Sequence, residues 1–514
     1  MLVPQRARRR PTWMVQLFSL LLVLLTSGAL LWVLKSGLPN RSTLATMLAL
    51  LFVTPVLMRW QVGWNVLFLI IPWIAWLRRV QLAINPQVEV VSQFDLLLLL
   101  PDLIVGAAVL GYAFSQRFKQ PIKLVPGEAR LRNLLLALIL LSLLQVFNPL
   151  MGSVAAGVNG LRMFTLYMSL YWLTAHVCSH DRTVYSWLSL TAWGATLSGC
   201  YGIYQYAFGL PEYDLLWAEA SKASAQMIGD QIRIFSTFSF TSTFSHFMLI
   251  GSCAAGGFLA MRRHARLMML LAPFMLGICT VSLALTFVRS SFVALALAGV
   301  GTLVLRGKPD ARLKRLLAIV ALAVLTSFAS PSSRSDIATA ESPGVANLVS
   351  ERVSSIGEGL SSNSMSYRMN LWTYQFTFIT FEQPAGMGIG LGAGGRFGAD
   401  PWATSVAYTE SQFVSMLVEM GWPGFILFLL LTGYGLVFTV RTYDRLDDPD
   451  RRGAVQVAFG IQMALLTTSL TGGAVLTVLP GAAYYWTALG LVTAVARIDA
   501  QEREAREASL LSAA

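Results

Sequence analysis

Arg289 is the one charge in the apolar tract LALTFVRSSFVALAL. A charge in such a setting is costly unless paired, and within a membrane it marks a functional site by default. Ser290 and Ser291 follow it, so the next helix would begin here and add its first N–H groups and dipole to the guanidinium. Arg233, in DQIRIFSTFSFTSTFSHF, guards the entrance of another apolar run whose Ser and Thr residues can line one face. Two such arginines on one face would clamp an anion, and the planar guanidinium fork suits phosphate. Arg368, in SYRMNLWTYQFTFITFEQ, is a third cation, near the start of an amphipathic helix marked by Met369, Trp372, Phe376 and Ile379. Glu410 opens YTESQFVSMLVEMGWPG, where a carboxylate near arginines is a candidate general base toward a hydroxyl. Each residue has a plainer reading: a snorkelling interfacial arginine for Arg233 and Arg289, a solvated charge for Arg368, a helix-start acid for Glu410. Glu419, more than two turns deeper, reads as a structural hydrogen-bond or ion-pair partner.

Other residues carry weaker signals. Asp102 is a lone acid in LLLLLPDLIVGAAVLGYAF, suited to a proton relay or to a break at Pro101, and Arg162 follows a turn at Gly160. The run GMGIGLGAGG has GxGxxG-like spacing without the βαβ unit a nucleotide site needs, and reads as a flexible turn letting backbone approach a ligand. His176, His180, His246 and His264 lack metal-ligand spacing, and Cys178, Cys200, Cys253 and Cys279 read as small apolar fillers. No metal site is expected.

These residues must be positioned by membrane helices. The chain of 514 residues is 55% hydrophobic and 12% charged, with mean hydropathy +0.61, against about 25% charged residues in soluble domains. Spans of about 20 apolar residues start near Trp13, Thr43, Val62, Leu96, Asn133, Met163, Tyr185, Ser236, Leu267, Ser290, Leu316, Gln412, Val455 and Gly481. The expected fold is an all-α polytopic transmembrane bundle of about 12–14 helices. It divides into an N-terminal bundle at 1–330, a large loop with an amphipathic helix at 331–410, and a C-terminal bundle with a tail at 411–514. Alternate loops are basic, from Arg6–Arg10 through Arg117–Arg132, Arg182, Arg262–Arg266, Arg306–Arg315 and Arg441–Arg452 to the tail after Arg497. The positive-inside pattern therefore places both termini in the cytoplasm, with Arg78 and Arg79 as the exceptions. Arg233, Arg289, Arg368 and Glu410 then share the outer face. The net charge of +12 reports orientation; no nucleic-acid-binding signature accompanies it.

The tracts NGLRMFTLYMSLY, RIFSTFSFTSTFSHF, LTFVRSSFVALAL, SYRMNLWTYQFTFITFEQPAGMGIG and ESQFVSMLVEMGWPG, in this order, resemble the O-antigen ligase and O-antigen polymerase superfamily of bacterial membrane proteins. The resemblance implies glycan transfer from undecaprenyl pyrophosphate at the outer face of the inner membrane, without a cofactor, metal or nucleotide sugar. It implies that Arg233 and Arg289 hold the donor pyrophosphate and that the transfer inverts the anomeric centre; Arg368, from its place in the loop, is a further candidate for binding pyrophosphate or glycan. Implied partners are an undecaprenyl-pyrophosphate-linked glycan donor, a glycan or lipid acceptor, membrane lipids and a chain-length regulator. In the family's ligases a histidine followed by an asparagine opens the helix after the large loop; here those positions hold Glu410 and Ser411. That departure favours polymerisation of lipid-linked repeats into O-antigen or exopolysaccharide, with a ligase acting on a lipid or protein acceptor as the alternative. A transporter is the reading from a different class, with Asp102 as its proton carrier.

Overall fold

The computed structural model describes residues 56, 59–84, 96–116, 123–220, 227–228, 231–261, 266–307, 363–391, 409–472 and 475–513. Within them the chain is helical, as the all-α reading expects, and the only strands are the two-residue antiparallel pair Met227–Ile228 (β1) and Gln231–Ile232 (β2). The spans expected near Trp13, Thr43 and Leu316 lie outside the described residues, as does most of the loop from 331 to 410.

The remaining expected spans all correspond to helices. They are α1 (Trp60–Ile70) with α2 (Ile74–Ile84), α3 (Leu96–Gln116), α4 (Glu128–Gln145), α5 (Val154–Thr165) with α6 (Leu170–Val177), and α7 (Asp181–Phe208). After the short α8 (Glu212–Ala220) come α9 (Thr241–Phe258), α10 (Arg266–Ala284) and α11 (Arg289–Leu305). The loop helix is α12 (Asn363–Phe381), and α13 (Gln412–Arg445), α14 (Pro449–Thr471) and α15 (Gly481–Ala513) complete the described chain.

Among the described residues, three helices are long and apolar enough to cross a membrane alone: the Leu267–Ala284 part of α10, α13 and α14. A fourth span results if α1 and α2, bent by 60°, are taken together. Fewer helices qualify than the hydropathy reading expects, for two physical reasons. One span is broken, at Pro72 between α1 and α2. Others bury polar side chains against their neighbours, as α7 does with Thr191, Thr196, Ser198 and Gln205 and α9 with Ser245, His246 and Ser252.

The bundle has two chemically distinct ends. At one, the expected cytoplasmic charges meet across helices: Arg451 bonds Asp181 at 2.8 Å and also Glu502, Arg497 pairs with Glu128, and Lys123 reaches Glu504. Arg497 further donates to the Ala175 carbonyl at 3.0 Å, and Arg306 to Gln456 at 3.4 Å. Between the ends lies an aromatic core. Phe68, Trp187 and Phe247 surround Tyr484 with ring centroids 5.1, 5.8 and 5.7 Å away, an arrangement that adds edge and offset contacts to apolar burial. The end opposite the basic one carries Arg233, Arg289, Arg368 and Glu410.

Candidate functional site

Arg289 is the first residue of α11, directly after a tight turn, Leu285–Phe287, that closes α10. Phe287 has φ +53°, a left-handed conformation that a bulky side chain adopts only when its surroundings impose it. The turn is fixed by Thr286, fully buried, whose hydroxyl accepts the Val288 N–H at 3.3 Å and donates to the Leu283 carbonyl at 2.7 Å. No side chain caps α11, so its first N–H groups lie beside the half-buried guanidinium of Arg289.

Arg233 follows β2 and precedes a second left-handed residue, Ser236 at φ +49°. Among the described residues, Ser236 and Phe287 are the two non-glycine positions with positive φ, and each lies within three residues of one of these arginines. Gln205 of α7 accepts the Ser236 N–H at 2.7 Å, and Thr237 donates to Ser198 at 3.1 Å. The Ser236 carbonyl accepts from Arg79 of α2, whose guanidinium lies 4.8 Å from the Phe235 ring centroid. Arg79 pairs with Asp214 of α8 at 2.9 Å, and neither side chain is exposed. Asp214 also accepts from Gln205 at 2.6 Å and from Tyr201 at 2.7 Å. Burial raises the Asp214 carboxyl above its ordinary value, against the opposing pull of Arg79. Arg79 thus breaks the charge pattern of the loops because it is a buried brace beneath the Arg233 turn. That anomaly was the signal for a residue that sequence reasoning otherwise missed.

The helix that bears Arg289 meets the helix that follows the Arg233 turn, since Ser291 of α11 donates to Ser245 of α9 at 3.0 Å. α14 relates Arg289 to Glu410. α11 and α14 run antiparallel, with Gly301 packed on Phe459 and Arg306 on Gln456. Moving about twelve residues from Gly301 to Arg289 is a rise of roughly 18 Å, and the same rise from Phe459 reaches Thr471. At that level Gln412 donates its N–H to the Gly472 carbonyl at 3.1 Å and accepts the Leu476 N–H at 3.2 Å. Glu410, two residues before Gln412, is therefore at about the depth of Arg289. It forms an ion pair with Arg368 of α12.

Of the expected stripe on α12, Ile379 is buried and Met369 and Trp372 are partly buried, but Phe376 yields the inward place to its neighbour. Gln375 is fully buried, whereas Phe376 is 49% exposed. Phe376 still packs edge-on against Trp422, at 5.4 Å between ring centroids. The inward positions are Arg368, Trp372, Gln375 and Ile379. Their spacing of four, three and four makes one helical face, which Phe378 and Ile379 anchor against Leu417 and Val418 of α13.

The described part of the Gly-rich run, residues 386–391, is a packed support where its composition suggests a flexible ligand turn; residues 392–395 lie outside the described residues. Residues 386–391 are buried, and Gly386, Gly388 and Gly390 have φ of +87°, +114° and +88°. The Gly388 N–H bonds the Glu419 carbonyl at 2.9 Å and the Gly390 N–H bonds the Glu419 carboxylate at 2.6 Å. Ser415 donates to the other carboxylate oxygen at 2.9 Å, so Glu419 has the structural role its depth suggests. From α4 and its exit, Gln145 and Asn148 donate to the Ala385 and Gly386 carbonyls at 2.6 and 2.9 Å. Asp102 is likewise engaged, bound to Arg162 and accepting from Tyr167 at 2.6 Å.

Two cavities of about 180 and 210 Å³ occur in the lower bundle, and neither is lined by Arg233, Arg289, Arg368 or Glu410. The arrangement at the opposite end offers two cationic helix entrances and, at similar depth, a carboxylate held by a third arginine. It can hold an anionic group and accept a proton nearby.

Residues 274–429 match the family model described as O-Antigen ligase, in keeping with the resemblance to the O-antigen ligase and polymerase superfamily. The matched stretch contains Arg289, Arg368 and Glu410, with Arg233 before it. No curated protein matches the chain.

Proposed function

We propose that this membrane protein is a metal-independent glycosyltransferase that polymerises undecaprenyl-pyrophosphate-linked oligosaccharide repeats, in the inner membrane and on its outer side. The observation that carries this reading is the gathering of Arg289 and the Arg368–Glu410 pair at one depth, on the end opposite the basic loops and within the matched stretch. In this reading Arg233 and Arg289 bind the pyrophosphate. Their fixed charges stabilise the negative charge that grows on it as the glycosidic C–O bond breaks. An acceptor sugar hydroxyl attacks the anomeric carbon and passes its proton to Glu410, while undecaprenyl pyrophosphate leaves with the bonding electron pair. The two left-handed turns support this assignment, because backbone strain persists where the surroundings hold a functional geometry.

The description of the matched family favours a second reading, a ligase that moves finished glycan to a lipid or protein acceptor. Glu410 at the position of the ligases' histidine supports the polymerase. The engagement of Asp102 by Arg162 and Tyr167 supports a structural part for it over a proton carrier's.

The test is turnover by purified protein with an undecaprenyl-pyrophosphate oligosaccharide, with products resolved by gel. A ladder of longer lipid-linked glycans is expected. It should fall by at least about 100-fold in Glu410→Gln and by a similar factor in Arg289→Ala, with the melting temperature retained. A single product on an added acceptor would replace the polymerase with the ligase. Absence of transfer to any acceptor would overturn both.

A further inference from the structure

We infer that the cleft between α10 and α11 is a binding site for an anionic phospholipid of the leaflet at the basic end, with its phosphate on Arg306, an ester carbonyl on Ser252 and an acyl chain in the space beyond. The inference goes beyond the glycosyl-transfer reading and does not rest on it.

The first argument is shape. α10 and α11 are consecutive, yet they pack little on each other: α10 lies mainly on α7 and α9, and α11 on α14. The space between them is the cavity of about 210 Å³, with Leu276 of α10 and Leu295 of α11 in its walls. Gly256 of α9 and Gly299 of α11 help to make the room, since a Cβ at either position would meet nothing within 4 Å. An apolar cavity of about 150 Å³ already holds a benzene-sized group, so this one takes a segment of acyl chain. Leu270 and Phe274 of α10 and Leu303 of α11 are exposed, as apolar side chains are on helices that face lipid.

The second argument is charge. Arg306 caps the C-terminal end of α11 and lines the cleft, at the end where the basic loops gather. Its exposed guanidinium donates to the Gln456 amide oxygen at 3.4 Å, and Gln456 is held in turn by donating to the Thr302 carbonyl at 3.1 Å. At the same end Arg451, Arg497 and Lys123 are bound to Asp181, Glu128 and Glu504. Among the described residues Arg306 has a neutral amide where those cations have carboxylates. A guanidinium so held, beside an apolar cleft at the membrane surface, complements a lipid phosphate.

The third argument is a hydroxyl. Ser252 of α9 lines the cleft and is 3% exposed, and its Oγ has no hydrogen-bond partner among the described residues. Other buried hydroxyls of the bundle, such as those of Thr196 and Thr432, donate to the carbonyl four residues earlier. A buried hydroxyl without that bond calls for an acceptor, and a lipid ester carbonyl is one. Gly257 packs on Val457, the neighbour of Gln456. Ser252, five residues before Gly257, therefore lies roughly 8 Å farther from the basic end than the Arg306–Gln456 bond. Phosphate, ester carbonyl and acyl chain follow in that order inward from a membrane surface.

The experiment uses the full-length protein in detergent, with phosphatidylglycerol and phosphatidylcholine of identical acyl chains as probes and native mass spectrometry to titrate binding. Wild type should bind phosphatidylglycerol about fivefold more tightly than phosphatidylcholine. Arg306→Gln should lower phosphatidylglycerol binding to the phosphatidylcholine level, and Ser252→Ala should weaken both lipids about threefold. Gly299→Leu, whose side chain enters the open cleft, should expel both at a retained melting temperature. Gly277→Leu, equally free of neighbours but outside the cleft, should bind both as wild type does. Equal affinity of wild type for the two lipids, a preference that survives Arg306→Gln, or unchanged binding in Gly299→Leu would each overturn the site. Loss of phosphatidylglycerol in Arg289→Ala as large as in Arg306→Gln would assign the cleft to the tail of a lipid held at the other end, and would overturn it too. Gly256→Leu fills the cleft from α9 and takes the place of Gly299→Leu if that variant fails to melt cooperatively.

Discussion

Arg79 and Asp214 meet at 2.9 Å with neither side chain exposed, and the same guanidinium holds the carbonyl of Ser236. The helix pair at the start of the described chain thereby fixes the turn that carries Arg233. Removing one member of a buried ion pair leaves the other charge uncompensated, at about 3–5 kcal/mol, whereas replacing both with apolar residues is often neutral. Asp214→Ala should therefore lower thermal stability sharply, and Arg79→Met/Asp214→Leu should recover most of the loss. The double variant should still lose donor affinity, because the Ser236 turn has lost its brace. Recovery of stability together with wild-type donor affinity would count against that role.

The Gly-rich turn predicts a steep contrast between glycines. A Cβ on Gly390 would lie 2.2 Å from the Gly160 Cα, at φ +88°, and one on Gly160 would lie 2.1 Å from the Ile389 carbonyl oxygen. Both contacts are backbone against backbone and cannot relax by a side-chain rotation. Gly390→Ala and Gly160→Ala should each cost roughly 2–4 kcal/mol and reduce activity with it. Gly277→Ala in α10, where nothing lies within 4 Å of the added atom, is the matched control and should be neutral or slightly stabilising. Melting curves of the three variants in one detergent decide this, and similar midpoints for all three would contradict the packing.

Much of the architecture was legible because hydropathy and loop charge answer to the membrane itself. The helix starts near Leu96, Leu267, Gln412 and Gly481 follow from apolar run lengths, and the gathering of Arg451, Arg497 and Lys123 follows from the charge pattern. Tertiary contact decided the rest. Gln375 and Phe376 are neighbours, and periodicity alone gave the inward place to the more apolar one; the fold instead buries Gln375, which has contacts of its own there, and leaves Phe376 half exposed against Trp422. Gly386 to Gly390 looked flexible because glycine permits many conformations, yet Gly386 and Gly390 abut backbone of distant segments and Gly388 packs on Met151. Arg79 could be seen as an anomaly, but its partner Asp214 sits in a loop helix with no periodic link to it.

Arg368 and Glu410 should act as one unit. If Arg368 orients the carboxylate that accepts the proton, removing it matters only while that carboxylate is present. Arg368→Ala should lower kcat about tenfold, an amount in keeping with loss of a charge-assisted hydrogen bond. Glu410→Gln should cost about 100-fold or more, and the double variant should be no slower than Glu410→Gln alone. Multiplying losses would mean that the two residues act independently, with Arg368 contacting the donor.

Asp102 offers the final contrast. Its carboxylate is bound to Arg162 and accepts from Tyr167, and Arg162 lies two residues beyond Gly160, where α5 abuts the Gly390 turn. The pair thus ties α3 to the support beneath the candidate site. Asp102→Asn keeps an acceptor for Tyr167 but leaves Arg162 without its counter-charge, in a site where both side chains are largely shielded. The expected result is a lower melting temperature with glycan transfer kept within about tenfold of wild type, since no reacting group is removed. Asp102→Asn/Arg162→Gln should regain part of the stability because neither charge is then stranded. A proton carrier would behave in the opposite way. In proteoliposomes, proton-coupled uptake that disappears in Asp102→Asn at an unchanged melting temperature would assign the residue to transport.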